Sequence, residues 1–509
     1  MTVDLSTNKL KFLVPSVLDV FFVFLFFYIF FVDAGAHILR DADTGFHIMV
    51  GRFFLENQHV PTVDLYSHTV PGQNWVAFSW GTGVLFALFD KLMGLNGVVL
   101  LSVILIMLTL FIIYRLLIRW QINFFIIAIS IFFLTALTSV HWLARPHLFT
   151  LFFTSLVFYV LESAKDNNKL YYFIPFIMMI WVNMHPGFIS GFFLLILYFT
   201  GNLIELLICY EDELKQKFKS ALKHIFIVFI GSFLLTLFNP YGIDLYYYIF
   251  ETLKSSWIVN VTLEYRSPDF HHTFAVILYL ILVLASLFFA LRVKNRVIDM
   301  PKILVFLLWL HLSLFALRNI AIFSVIGVCV FALLFHNYIE MFSLKRFKEK
   351  GKIFYDFEKS LCYHVWPLIL LIIIIVSSYN SINGGSKNLV ECAFSPKELP
   401  INALKYLEKN PLKGNMFNLD NWGGYIIYAY PDIKVFMDGR LDMYQQKFIG
   451  EYQKVVGVSP DWQDVLNKYN VDWVLISNNT LLYNMLAHSK EWSVHYTDKL
   501  ATIYKRNQK

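Results

Sequence analysis

Apolar runs of spanning length, separated by short polar connections, recur along most of the chain. They begin near Phe12, Gly97, Asn123, Leu148, Tyr171, Phe188, Ile225, Thr273, Ile303, Ile320 and Leu361. A helix needs about 20 apolar residues to cross a bilayer, so this pattern predicts about eleven transmembrane helices. Two further apolar stretches, Phe46–Leu55 and Thr82–Leu92, are too short to span and predict helices lying on the membrane surface. Between them Pro61, Asp64, Ser67, Pro71 and Gly72 punctuate turns. The pattern changes after Ile375. Ser377–Lys387 reads as a Ser/Asn/Gly-rich linker, and beyond it helical and strand periods alternate. Helices are predicted near Pro400–Lys409, Trp462–Tyr469 and Leu481–Ser489. Strands are predicted at Asn415–Leu419, Lys434–Met437 and Asp472–Ile476, with closing strands through Tyr504. The expected fold is therefore a polytopic α-helical membrane domain, residues 1–382, followed by a soluble α/β domain, residues 383–509.

Composition agrees with the pattern: 58% of the 509 residues are hydrophobic and only 15% charged, against about a quarter charged in soluble domains. The net charge of +6 does not point to a nucleic-acid partner, because Lys and Arg cluster between the apolar runs and so report topology. With the N-terminus cytoplasmic, the inside segments hold 20 basic residues and the outside loops 7. An odd number of spans then places the C-terminal domain outside the cytoplasm, together with a first loop over 33–96 and a second over 239–272. Lys9 and Lys11 precede a run too long for a signal peptide, so it is read as a retained first span. Asp19 lies within that span, where a charge is costly and marks function by default, or, near the cytoplasmic end, only reaches water. Trp75 and Trp80 read most simply as aromatic-belt anchors, with sugar stacking the alternative. Cys209, Cys329, Cys362 and Cys392 form no disulfide framework and no CxxC metal site.

The sidedness gathers the distinctive polar residues on the outer face. Asp41, Asp43, His47 and Arg52 lie in the first loop, His141, Arg145 and His147 in the string HWLARPH, and His185 in NMHPGF. Glu264, Arg266 and Asp269 lie in EYRSPDF, and Arg318 in LRN. A transporter needs ionisable groups through the bilayer midplane, and the spans hold few. The second loop, opened by Asn239-Pro240-Tyr241-Gly242 and carrying Tyr246-Tyr247-Tyr248, is expected to face the first across a cavity.

These residues carry a resemblance. Asp41-Ala42-Asp43 stands in the first large outside loop, followed by His47, Gly51, Arg52, Pro61, Asp64, Trp75 and Trp80. The tail carries Asn421-Trp422-Gly423-Gly424-Tyr425 and Val435-Phe436-Met437-Asp438-Gly439-Arg440. The chain resembles the GT-C type of polytopic membrane glycosyltransferase, and within it a group of bacterial proteins with this first-loop pattern and tail. The resemblance implies transfer of a sugar from a polyprenyl-phosphate-linked donor to a glycan, lipid or protein acceptor at the outer face of a bacterial inner membrane. It implies that Asp41 or Asp43 is the catalytic base, and that the other orients the acceptor or holds a divalent cation, Mg or Mn, with Asp43 a candidate ligand. Arg145, Arg266 and Arg318 are candidate phosphate clamps, since a guanidinium fork matches phosphate oxygens. His47, His141, His147, His185 and Glu264 are candidate substrate contacts. Arg52 either contacts substrate or pairs with one of the two aspartates. The alternatives from other classes are a flippase for a lipid-linked glycan and a non-catalytic membrane scaffold.

Overall fold

A computed structural model describes residues 13–255, 257–258, 262–269, 274–292, 298–342, 344–361, 365–382 and 389–507. Lys9, Lys11, Cys362 and part of the linker at Ser377–Lys387 fall outside the described residues.

Each of the apolar runs forms a helix. Among the described residues six are long and apolar enough to cross a membrane: Leu95–Arg119, Phe124–His141, His147–Ala164, Pro186–Ile208, Asp212–Thr236 and Asn319–Glu340. The pair Lys345–Ser360 and Val365–Tyr379, bent by 49°, makes a seventh if read as one span. Val17–Val32, Val276–Arg292 and Met300–Phe315 are shorter apolar helices. The structure thus reaches the expected architecture, while the expected number of spans depends on these short helices. Ile174–Met184 is the shortest, and local geometry explains why. A 3-10 turn, Asn168–Phe173, leads into it, and it stops at His185, whose extended backbone (φ −162°, ψ 141°) precedes Pro186. A proline ring bars helical conformation from the residue before it.

Leu95–Arg119, His147–Ala164 and Asn319–Glu340 form the enclosed centre of the bundle, and Asp212–Thr236 lies at its rim. At one end of His147–Ala164 a buried charge network ties the bundle together. Glu162 accepts from Lys165 (2.5 Å) and from the Tyr198 hydroxyl (2.6 Å) and pairs with Lys302 (3.2 Å). Asp299 pairs with Lys165 (2.6 Å) and Lys302 (2.7 Å). Buried charges persist only where they are paired in this way. His147 opens the same helix fifteen residues earlier, about 22 Å away at 1.5 Å per residue. The two polar regions therefore sit at opposite ends of the bundle.

Two expectations are corrected at this level. Asp19 does not reach water: it is buried and closes a capping box with Ser16, each side chain bonded to the other's backbone N–H at 2.9 Å. Trp75 is not a belt anchor either, since it is buried beneath the Arg440 guanidinium, 4.8 Å from its ring centre.

The C-terminal part holds a four-stranded sheet of β1 (Asn415–Asn418), β2 (Val471–Ser477), β3 (Trp492–Thr497) and β4 (Ala501–Arg506), in the order β1-β2-β4-β3. β1 runs parallel to β2, while β4 pairs antiparallel with both β2 and β3. Helices Ile401–Lys409, Trp462–Lys468 and Leu481–Ala487 form where the pattern predicts them. Lys434–Met437 is not a strand of this sheet. Its Val435 instead bridges Ser67 of the first loop, accepting from His68 N–H (3.1 Å) and donating to Tyr66 O (3.0 Å).

That bridge belongs to a broad docking of the C-terminal part on the first loop. Helix Asp43–Asn57 crosses helix Asp420–Ala429 at a pair of glycines. A Cβ on Gly45 would meet Gly424 O at 2.3 Å, and one on Gly424 would meet Ala42 O at 2.5 Å, so only glycine permits this approach. Beside the crossing, Arg440 donates to Asp64 (2.7 Å) and Asp438 (2.6 Å), and all three side chains are almost fully buried. The Tyr444 hydroxyl completes the cluster on Asp438 (3.1 Å).

Candidate active site

The two aspartates are presented by the start of helix Asp43–Asn57. Asp41 Oδ1 accepts the Asp43 N–H at 2.8 Å and so caps a helix whose N-cap residue, Ala42, has no side chain able to do it. Asp43 opens the first turn, where a negative charge is favoured by the helix dipole. The loop carrying Arg145 is pinned against this turn: Ala144 N–H donates to Ile38 O (2.9 Å), and Thr44 Oγ1 donates to Ala144 O (2.9 Å). Arg145 consequently reaches Asp41 (3.0 Å), Asp43 (3.1 Å) and Glu264 (3.4 Å) at once.

Gly439, between Asp438 and Arg440, packs directly on the Asp43 carboxylate, and a Cβ there would meet Oδ1 at 2.2 Å. Enclosure dominates the electrostatics of Asp43: burial, opposed by Arg145 and reinforced by Asp41, pushes its carboxyl up to about 7. Arg145 itself stays charged, because its carboxylate partners outweigh the burial that works against it. In turn Arg145 holds Glu264 down to about 2. Burial keeps His47 neutral, with its basicity well below the usual range.

These groups open onto a cavity of about 470 Å³. Asp43, His47, His141, Arg145, His147, His185, Glu264 and Arg318 line it, joined by Phe193, Trp309, Leu312, Phe315 and Ile322 from the apolar helices. The histidine tautomers follow from their partners. His147 Nε2 donates to His141 O (2.6 Å), so its Nδ1 is the free acceptor. His185 Nδ1 accepts the Gly187 N–H (3.0 Å) and the Thr150 hydroxyl (2.7 Å), so the neutral ring carries its proton on Nε2. Arg318 donates its backbone N–H to Glu264 O (3.1 Å) and lies over the Tyr265 ring at 4.7 Å. Among the described residues no carboxylate lies within ion-pair distance of its guanidinium.

The residues read from the sequence divide accordingly. Asp43, four histidines, Arg145, Glu264 and Arg318 converge on the cavity, with Asp41 one step behind, bound to Arg145. Arg266 does not line it; its backbone carbonyl receives Leu317 N–H (2.9 Å) on the exposed side of the loop. Arg52 pairs with neither aspartate. Its partner is Asp90 (2.6 Å), and the Tyr428 ring lies 5.1 Å away, so it fastens the first loop to the C-terminal part. Among the described residues no three His, Cys, Asp or Glu side chains come together as a cation site, and the charged group beside Asp43 is the Arg145 guanidinium at 3.1 Å.

The second loop does face the first across this space: Tyr241 Oη accepts from Ala77 N–H (2.9 Å), and Tyr248 packs on Phe78. The sequence reading missed Asp442 and Tyr248. Both line the cavity, and the Tyr248 hydroxyl donates to Asp442 at 2.6 Å. The tyrosine run and the nearby Asp438-Gly439-Arg440 turn were the available signals.

No family model matches the chain, and no curated protein is similar to it. Among solved structures, the chain is similar to the crystal structure of ArnT from Cupriavidus metallidurans bound to undecaprenyl phosphate. The likeness covers 95% of this chain and 97% of that one, at 12% identity and a TM-score of 0.49.

Proposed function

We propose that the protein is a membrane glycosyltransferase of the GT-C kind, moving a sugar from a polyprenyl-phosphate carrier to an acceptor at the outer face of a bacterial inner membrane. The observation that carries this reading is Arg318, a guanidinium without an ion-pair partner among the described residues, in one cavity that it shares with the Asp43 carboxylate and with the apolar side chains of Phe193, Leu312 and Phe315. A ligand matching that lining has an apolar chain, a phosphate and a reactive carbon in sequence. The prenyl chain lies along Phe193, Leu312 and Phe315, and the phosphate meets Arg318 with Arg145 behind it.

Asp43 is the base. It lines the cavity and its carboxyl is pushed up to about 7, which makes its ionised form a stronger base than an ordinary carboxylate, whereas Asp41 does not line the cavity and is engaged by the Asp43 backbone. Asp43 takes the proton of the acceptor hydroxyl, and the oxygen forms a bond to the anomeric carbon from the face opposite the phosphate. The bond from that carbon to phosphate oxygen breaks, and polyprenyl phosphate leaves with its new charge held by the guanidinium groups, inverting the anomeric centre. No step here requires a divalent cation, so chelation is expected to leave transfer unaltered.

Binding of decaprenyl phosphate to the full chain in nanodiscs tests the carrier half of this reading. Arg318→Gln is expected to weaken it about ten- to a hundredfold, as loss of a charged hydrogen bond does, and Asp43→Asn to leave it intact. Equal binding by wild type and Arg318→Gln would refute the assignment. The end-to-end separation of the two charged regions argues against a flippase, which needs ionisable groups between them.

A further inference from the structure

Two carboxylates and two guanidinium groups, Asp43, Glu264, Arg145 and Arg318, line the cavity from the loops, and the C-terminal segment adds Arg440, committed to Asp64 and Asp438, and the carboxylate of Asp442. Among the described residues no cation lies within ion-pair distance of Asp442. Its Oδ2 receives the Tyr248 hydroxyl, which leaves Oδ1 with acceptor capacity. Enclosure also raises its carboxyl above the ordinary range. An enclosed carboxylate with spare lone pairs is costly unless donors reach it.

A run of contacts also joins the groups of the two walls, loop and C-terminal. Arg318 adjoins Glu264, Glu264 adjoins Arg145, Arg145 adjoins Asp43, Asp43 touches Gly439, and Asp442 follows three residues later. In an in-line displacement the acceptor hydroxyl approaches the anomeric carbon opposite the leaving phosphate and beside the base, and Asp442 lines the same cavity three residues from the Gly439 that packs on Asp43. Trp75 and Tyr248 add aromatic surface to the cavity, and among the described residues the Trp75 indole N–H and the Ser79 hydroxyl are buried without partners.

We propose that Asp442 and Tyr248 form a saccharide subsite, in which the Asp442 carboxylate accepts hydrogen bonds from hydroxyl or amino substituents of a sugar ring held by the C-terminal part. That the ligand is a sugar follows from these groups; that it is the acceptor rests on the transferase reading. The glycosyl group then passes to a glycan or glycolipid rather than to a bare peptide side chain.

Saturation-transfer difference NMR on the full chain in nanodiscs tests it. The probes are a panel of neutral methyl hexosides and pentosides, methyl 2-amino-2-deoxyhexosides, and, separately, decaprenyl phosphate. Wild type is expected to transfer saturation to at least one glycoside. Asp442→Asn and Tyr248→Phe are expected to weaken that binding about tenfold or more while decaprenyl phosphate binding is unchanged. Arg318→Gln is expected to do the reverse. A response confined to the amino sugars assigns the carboxylate an ammonium partner within the same subsite. The proposal is overturned if no glycoside receives saturation from wild type, or if the signal persists at full strength in Asp442→Asn. If the glycoside responses hold and decaprenyl phosphate is not bound, the carrier reading fails while the subsite stands.

Discussion

Asp43 owes its chemistry to what encloses it. A carboxylate in water is a weak base at neutral pH, and this one is pushed up to about 7 by burial beneath Gly439 despite the guanidinium of Arg145. Transfer requires the ionised form, so turnover is expected to rise with pH through about 7 and level off above it, and an initial-rate profile checks this. Stability moves the other way. Between the ordinary carboxylate range and 7 the folded protein keeps a proton that the unfolded chain has lost, so this group's contribution falls as pH rises through that window. Asp43→Asn is expected to remove that slope and to lower turnover about a hundred- to ten-thousandfold with normal protein levels. Asp43 and Arg145 were legible in the sequence because each sits in a short polar string between apolar runs. Arg52 was misassigned for the same reason: its true partner, Asp90, closes an apolar helix 38 residues on, and nothing in the spacing marks the pair.

At the scale of elements, the helix bearing the aspartates is held by one from the far end of the chain. The Gly45–Gly424 crossing leaves no room for a Cβ, so Gly424→Val is expected to push helix Asp43–Asn57 off its position. Turnover should fall about a hundredfold, as ångström displacements in catalytic sites do, while the sheet domain stays folded by limited proteolysis. The Arg440 cluster sets the same alignment. Arg440→Met leaves Asp64 and Asp438 buried without a cation, which is expected to cost about 3–5 kcal/mol, read as a lowered Tm and partly restored by adding Asp438→Asn. Local period revealed most of these elements and not their partners. Lys434–Met437 has strand character, yet Val435 pairs with Ser67 rather than with the sheet, and periodicity carries no information on which edge a strand will find. The helix Asp420–Ala429 was hidden because its two glycines, Gly424 at the crossing and Gly423 against Met437 and Asp438, lower helix propensity.

The whole molecule is a helical bundle with a charge-sealed end, an open polar end and a sheet domain seated on the latter. Hydrophobic runs made the bundle legible, since they follow from burial in a bilayer, and alternating helical and strand periods made the sheet domain legible. The buried Glu162–Lys302 network did not show, because a lone acid near a span end reads as solvated. Reporter fusions are expected to place the C-terminus outside the cytoplasm and the 165–169 connection inside. The most direct measurement is an electron cryo-microscopy structure of the full chain in nanodiscs with decaprenyl phosphate. The expected result is phosphate density at hydrogen-bonding distance from Arg318, with Asp43 facing it and the prenyl chain along Phe193 and Leu312. Phosphate bound instead at the Lys165–Lys302 end of the bundle would contradict the account.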